Sequence, residues 1–269
     1  MNPTNTRAML IKVPIVITLY FWIIKILATT VGETGADFLI INLHLGIPVT
    51  SVIMAMILAA SLYAQIKFKQ YTPWLYWLTV VLVSIVGTLI TDNLTDKFGV
   101  PLPVSTAAFS LALIVTYWIW YRIEGSLSIH SVDTIRRELF YWAAILFTFS
   151  LGTAAGDLMT ESVGLGYVLS TLIFSAAIGF IAIGFYGFKL NGILAFWLAY
   201  IITRPLGASI GDYLTQSTAD GGLGFGTIGT SAVFLLSILG LVTYLTITKR
   251  DAPTEQFGLT NTAEEVDVI

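Results

Sequence analysis

One motif, Gly-x-x-x-small-Asp, occurs four times in this chain: Gly32–Asp37, Gly87–Asp92, Gly152–Asp157 and Gly207–Asp212. The starts lie 55, 65 and 55 residues apart. Self-similarity at a nearly fixed period sets an architecture before any helix is read, because each unit buries the same faces against its neighbours. The sequence around the motifs is lipid-soluble: 56% of the 269 residues are hydrophobic and 11% charged. Soluble domains carry about 25% charged residues, so the bilayer is the solvent for this chain. Carboxylates are costly there, and four at one register point to function.

A hydrocarbon core of about 30 Å takes about 20 apolar residues per helix. Eight segments fit, at about 13–36, 46–66, 73–94, 101–121, 139–159, 165–188, 191–212 and 226–247. The expected fold is all-α: a polytopic membrane protein of eight helices built from four parallel two-helix repeats, at about 9–66, 73–121, 138–188 and 190–248. The first helix of each repeat ends in the motif, a Gly-containing turn follows (Gly46-Ile47-Pro48, Gly99-Val100-Pro101, Gly164-Leu165-Gly166, Gly221-Gly222-Leu223-Gly224), and the second helix returns. Each second helix opens with hydroxyls: Thr50-Ser51, Ser105-Thr106, Ser170-Thr171 and Thr230-Ser231.

Ten basic residues (Arg7, Lys12, Lys67, Lys69, Arg122, Arg136, Arg137, Lys189, Lys249, Arg250) fall on one side of such a bundle, and Lys97 alone on the other. The positive-inside rule then places both termini in the cytoplasm and the motif aspartates towards the outer face. Trp74, Trp77, Trp118, Trp120 and Trp142 lie near the cytoplasmic ends, where aromatic belts sit. The N-terminal run resembles a signal peptide but is too long for one, and reads as the first membrane helix. Residues 1–250 form the transmembrane domain. The stretch 122–137 is a hydrophilic cytoplasmic divider, and 251–269 reads as an acidic, disordered cytoplasmic tail.

Residues four apart share a helix face. The motif helices then carry four polar stripes: Lys25, Thr29, Glu33, Asp37; Ser84, Thr88, Asp92, Asp96; Phe149, Thr153, Asp157, Glu161; and Arg204, Ala208, Asp212, Gln216. Two cations sit at the deep ends, about 12–18 Å from Asp37 and Asp212 by helical rise. Glu33, Asp37, Asp92, Asp157 and Asp212 are candidates for ion and proton binding, with the four aspartates as metal ligands. Lys25 and Arg204 are candidates for coupling or substrate binding, with Thr88, Asp96, Thr153 and Glu161 as accessory groups. Gly32, Gly87, Gly152, Gly156, Gly207 and Gly211 form small-xxx-small pairs, whose first reading is close helix packing. The competing reading of the aspartates is a solvated helix-end carboxylate, copied by duplication. His130 lies in the divider; His44 is seven residues beyond Asp37.

Oxygen ligands suit hard cations such as Mg, Ca or Mn. No cysteine is present, so thiolate sites and disulfides are excluded. There is no Walker motif, no basic stripe for nucleic acid and no nucleophile–base pair, so an enzyme is not expected.

The stretches Thr29–Leu39, Ser84–Asp96, Phe147–Thr160 and Ile202–Leu214 resemble the bacterial membrane proteins built from the repeat called domain of unknown function 347. The resemblance reaches to about residue 248 and implies an integral protein of a bacterial-type inner membrane. It brings little function beyond a faint link to metal-ion homeostasis. The first copy departs from the others, with Glu33 for a hydroxyl or alanine and Ile41 for a polar group after Asp37.

The leading expectation is a proton-coupled secondary transporter of an inorganic cation, divalent, with manganese among the candidates. The alternatives are a transporter of a small organic anion or zwitterion anchored by Lys25 and Arg204, and a non-transporting scaffold or sensor. The expected partners are lipid, the cation and protons, with no permanently bound cofactor and with room for a homo-oligomer.

Overall fold

A computed structural model of the protein describes residues 11, 13, 14, 16–68 and 70–251. Arg7, Lys12, Lys69 and the tail from residue 252, all used above, lie outside the described residues. The described residues hold eight long α-helices and no strand. They are α1 (Leu19–Asp37), α2 (Gly46–Lys67), α3 (Pro73–Asp92), α4 (Leu102–Glu124), α5 (Ile135–Asp157), α6 (Gly166–Phe188), α7 (Gly192–Thr215) and α8 (Thr227–Thr248). Seven of them, α2–α8, are long and apolar enough to cross a membrane. In α1, Lys25 and Glu33 replace apolar residues and lower the hydropathy. This helix also starts at Leu19 rather than near residue 13.

Helices α1, α3 and α5 end on the motif aspartate and run on into a π-helical turn, at Phe38–Asn42, Asn93–Lys97 and Leu158–Ser162. Such wide turns are rare and frequently mark functional places. The fourth unit differs: α7 continues to Thr215, and a glycine-rich loop with a 3₁₀ turn at Thr218–Asp220 leads to α8. His44 occupies a left-handed turn position (φ 54°), exposed to solvent.

The odd-numbered helices form a closed inner ring in which α1 packs on α3, α3 on α5, α5 on α7 and α7 on α1. The even-numbered helices lie outside it. Each packs chiefly against the next odd helix along the chain: α2 on α3, α4 on α5, α6 on α7, and α8 back on α1. In α3, α5 and α7, 83, 61 and 61% of the apolar segment is buried inside the protein; in α2, α4, α6 and α8 the shares are 22, 17, 11 and 22%. The sequence explains the division. The odd helices carry charged stripes that must avoid lipid and glycines that permit close approach, whereas the even helices turn only a few uncharged polar side chains inward and are otherwise apolar.

The four motif glycines make the inner contacts. A Cβ on Gly32 would lie 1.7 Å from Ser84 Oγ, on Gly87 2.7 Å from Phe149 Cβ, on Gly152 2.1 Å from Arg204 Cγ, and on Gly207 2.5 Å from Thr29 Cγ2. Each partner stands three residues before the motif glycine of the next helix, so the same contact recurs around the ring. Positions four residues on are looser: Cβ atoms on Gly156 and Gly211 would meet their nearest neighbours at 3.7 and 3.3 Å.

At the end of the ring away from the motif aspartates, aromatic side chains fill the interior. Trp77, Trp120 and Trp142 are buried there and do not belong to a lipid-facing belt; Trp74 and Trp118 are exposed. The divider is likewise more than a hydrophilic spacer. Gly125 ends α4 in a left-handed conformation, Ile129 and Val132 are buried, and Trp197 Nε1 donates to the Leu127 carbonyl at 2.9 Å. Glu124 pairs with Arg136 and, at 2.6 Å, with Arg137, which also bonds Asp133 and the Ser131 carbonyl. The divider is an ordered strap against the aromatic end of the bundle.

Candidate functional site

Registering the ring on its glycines stacks the inward residues in layers four residues apart. From the mouth inward, the first layer holds Asp96, Glu161 and Gln216, with Ile41 in the fourth place. Asp37, Asp92, Asp157 and Asp212 come next, followed by Glu33, Thr88, Thr153 and Ala208. Deeper layers are Thr29, Ser84, Phe149, Arg204; then Lys25, Val80, Ile145, Tyr200; then Phe21, Tyr76, Tyr141, Phe196.

Arg204 is fully buried and reaches one layer towards the mouth. Its Nη2 donates to Glu33 Oε2 at 3.0 Å, to Thr153 Oγ1 at 2.6 Å and to Thr88 Oγ1; Nη1 donates to the Thr29 carbonyl at 3.3 Å. Thr88 Oγ1 also faces Glu33 Oε2 at 3.3 Å. One guanidinium thus ties all four inner helices together. An ion pair this deep is held by its added hydrogen bonds as much as by its charge. Pro205, next to Arg204 inside α7, supplies no N–H to the helix ladder and packs beside Gly152.

Lys25 sits one layer deeper and is also fully buried. Its Nζ donates to Thr203 Oγ1 at 3.3 Å and lies 3.9 Å from the centre of the Tyr200 ring and 4.4 Å from that of Phe149. No carboxylate lies within ion-pair distance of it among the described residues; Glu33 is taken by Arg204.

The four motif aspartates are half-buried. No hydrogen bond or ion pair joins any of their side chains to another group among the described residues, unlike Glu33 one layer below. They nevertheless form one electrostatic cluster. Asp92 lies in the field of Glu33, Asp96, Asp37 and Arg204; Asp157 in that of Glu33, Asp212, Glu161 and Asp92; Asp212 in that of Glu33, Asp37, Glu161 and Arg204. Among the described residues, no three Asp, Glu or His side chains are gathered tightly enough to hold a metal ion. The expected metal set of Asp37, Asp92, Asp157 and Asp212 therefore shares one level without forming a closed cage in this conformation. Asp96 and Glu161 stand exposed on the π turns at the rim.

The hydroxyls of the even helices lock the two rings together in part: Ser231 donates to Thr34 Oγ1 at 2.7 Å, and Asn93 Nδ2 to Ser51 Oγ at 2.7 Å. Thr50, Ser105 and Ser170, at equivalent positions, are buried without a hydrogen-bond partner. His130 is exposed in the strap beside Ser128.

Sequence reasoning missed Tyr76, Tyr141 and Tyr200. Tyr76 and Tyr141 join their hydroxyls at 2.6 Å inside the ring. The signal was present: Phe21-Trp22, Tyr76-Trp77, Tyr141-Trp142 and Phe196-Trp197 recur at the same 55, 65 and 55 spacing as the acidic motif.

The family profile described as Repeat of Unknown Function (DUF347) matches the chain four times, at residues 20–71, 75–126, 140–190 and 195–251. The chain belongs to this family. The DUF347 matches contain all four acidic motifs and all four aromatic-Trp pairs, so the layered interior is repeat sequence and not insertion. Neither a curated protein nor a solved structure was found to match the chain.

Proposed function

We propose that the protein is a secondary transporter of a hard inorganic cation, divalent, that exchanges for protons at the aspartate layer. The supporting observation is that Asp37, Asp92, Asp157 and Asp212 share one level, reach solvent and have no partner among the described residues. A cap on the π turn would be hydrogen-bonded to it, and Asp37, Asp92 and Asp157 are not; a merely solvated carboxylate is separated from a cation site by the titration below. Carboxylates left free at the mouth of a buried polar column can hold either a cation or protons. With no three carboxylates gathered tightly enough to close on a metal among the described residues, a cation held there keeps part of its water shell, as small divalent ions do.

The organic-anion reading is weaker because both Arg204 Nη atoms are taken, by Glu33, Thr29, Thr88 and Thr153, and Nε is left without a partner among the described residues. In this reading Arg204 and Glu33 form the floor of the site. The topology that accompanies it has eight crossings, both ends in the cytoplasm, and four parallel two-helix units around an axis along the membrane normal. Its support is that each matched repeat takes in two consecutive helices and that the basic residues gather opposite the aspartates. The membrane is then a bacterial-type inner membrane with the mouth facing out.

The test is titration of the purified protein with Mg2+, Ca2+ and Mn2+ while released protons are counted. Binding should release protons, weaken on acidification, and fall in Asp92→Asn and Asp157→Asn without loss of fold. Binding that is absent, or unchanged in both variants, would remove the proposal.

A further inference from the structure

The outer helices do not cover the inner ring evenly. α8 packs on both α1 and α3 and covers the seam between them, whereas α6 packs on α7 without comparable contact to α1. A groove of about 570 Å³ is left between α1, α6 and α7, and the strap residues 127–130 close one end of it. Leu19 and Tyr186 stand exposed at its rim. Its walls are apolar: Trp22 and Ile26 from α1, Ile181 and Phe185 from α6, Phe196 and Ala199 from α7. No Asp, Glu, Lys or Arg lines it among the described residues. Along α7 the lining runs from Gly192 to Thr203, about 16 Å by helical rise. It stops there because α1 and α7 close on each other one turn further on, where a Cβ on Gly207 would lie 2.5 Å from Thr29 Cγ2. The groove thus starts at one end of α7 and ends near the middle of that helix.

We propose that this groove holds one acyl chain of an anionic phospholipid from the leaflet on the strap side. The inference needs the chain to sit in a bilayer and does not need the cation reading. Three physical points carry it. A concave apolar surface that faces lipid does not stand empty: its lining atoms would lose their dispersion contacts, and water finds nothing there to bond. The depth is that of one leaflet, since half of a hydrocarbon core of about 30 Å is about 15 Å. A helix of a second copy would cross the whole core and would meet the half of the seam that Gly207 and Thr29 close. The third point is charge at the strap end. Ser128 and His130 line the groove there, and Lys189 lies in the α6–α7 turn, three residues from both Tyr186 and Gly192. The nearby carboxylates of Glu124 and Asp133 are already paired with Arg136 and Arg137. Basic groups at the interface end of a cleft between membrane helices suit anionic headgroups. The mouth is preformed, because Trp197 Nε1 holds the Leu127 carbonyl at 2.9 Å. A chain seated against α1 and α7 also buries the outside of the seam that carries the Glu33–Arg204 pair, so the lipid stabilises the closure of the ring.

Full-length protein in a mild detergent decides this, with phosphatidylglycerol and phosphatidylcholine of identical acyl chains as probes. Native mass spectrometry counts the lipids held, and melting curves give the stabilisation. The parent should keep one phospholipid through purification and melt at a higher temperature with phosphatidylglycerol. It should bind phosphatidylglycerol about fivefold more tightly than phosphatidylcholine, the scale of one basic side chain at a membrane surface. Ala182→Trp fills the groove from α6 and should weaken binding of both lipids by about tenfold or more, because each displaced methylene loses its buried surface. Ala59→Trp, exposed on α2 away from the groove, should bind as the parent does. Lys189→Gln, in an exposed turn, should keep the lipid and lose the preference, and it reads the site even where Ala182→Trp disturbs the fold. No lipid retained by the parent, or equal binding in Ala182→Trp and Ala59→Trp, overturns the site. A preference that survives both Lys189→Gln and His130→Gln overturns the headgroup assignment. A dimer lost in Ala182→Trp with lipid binding unchanged gives the groove to a second copy and overturns the proposal.

Discussion

Replacing Gly207 by alanine adds one methyl group where the ring closes between α7 and α1. That carbon would lie 2.5 Å from Thr29 Cγ2, 2.6 Å from Thr29 Cβ and 3.2 Å from the Ile26 carbonyl. Carbon atoms rest at about 3.5–4.0 Å, so the overlap is about 1 Å. Rotating Thr29 gives no relief, because its Cβ is itself in the way and its hydroxyl is held by the Lys25 carbonyl at 2.7 Å. The backbones must part, and overpacking of this kind costs about 1–3 kcal/mol. Alanine also gains about 1 kcal/mol of helix propensity over glycine. Gly240→Ala in α8 has the same gain and nothing within 4 Å of the new carbon. The difference between the two variants therefore isolates the overlap, and Gly207→Ala should be less stable than Gly240→Ala by about 1–3 kcal/mol. Reversible unfolding in mixed micelles measures it. Equal stability would show that the inner helices do not meet at the motif glycines, and the ring would be wrong.

Arg204→Met should cost about 3–5 kcal/mol by leaving Glu33 buried without its partner, and Glu33→Gln added to it should restore part of the loss in the same unfolding assay. Burial raises the Asp251 carboxyl above its usual range, while the Tyr71 hydrogen bond pulls it back. A raised folded-state value means that the protonated form favours docking, so docking of the α8 end should weaken as pH rises through it. Melting curves between about pH 4 and 8 should show that slope in the parent and lose it in Asp251→Asn. The chain has no native cysteine, so single cysteines report topology directly: an impermeant reagent outside intact cells should label Lys97→Cys and spare Lys189→Cys, and the reverse would invert the orientation.

The helices were legible because lipid demands long apolar runs, and the repeats because the glycine and aspartate recur at one spacing. The order of packing was not. Apolar periodicity cannot say that α2 leaves α1 to pack on α3, since apolar residues lie on every side of the even helices and their few inward hydroxyls name no neighbour. The Arg204–Glu33 pair was hidden for a related reason. Both residues were singled out, but a stripe on one helix does not reveal which neighbour closes on it across the ring. Trp77, Trp120 and Trp142 misled because a tryptophan near a helix end is usual at a lipid interface; the fourfold aromatic spacing marks Trp77 and Trp142 as an inner layer but does not include Trp120. Lys25 shares a stripe with Glu33 and Asp37, but its neighbours are Thr203 and ring faces on α7 and α5 and not a carboxylate, which a stripe on one helix does not reveal.

The claim at the centre of the account is that four free carboxylates at one level are a single cation site. An experimental structure of the protein with Mn2+ at neutral pH, with the metal located by its anomalous signal, tests that claim most directly. The account predicts a peak on the ring axis among Asp37, Asp92, Asp157 and Asp212, on the mouth side of Arg204, and its loss in Asp157→Asn. A peak elsewhere in the bundle, or none at saturating Mn2+, would contradict it.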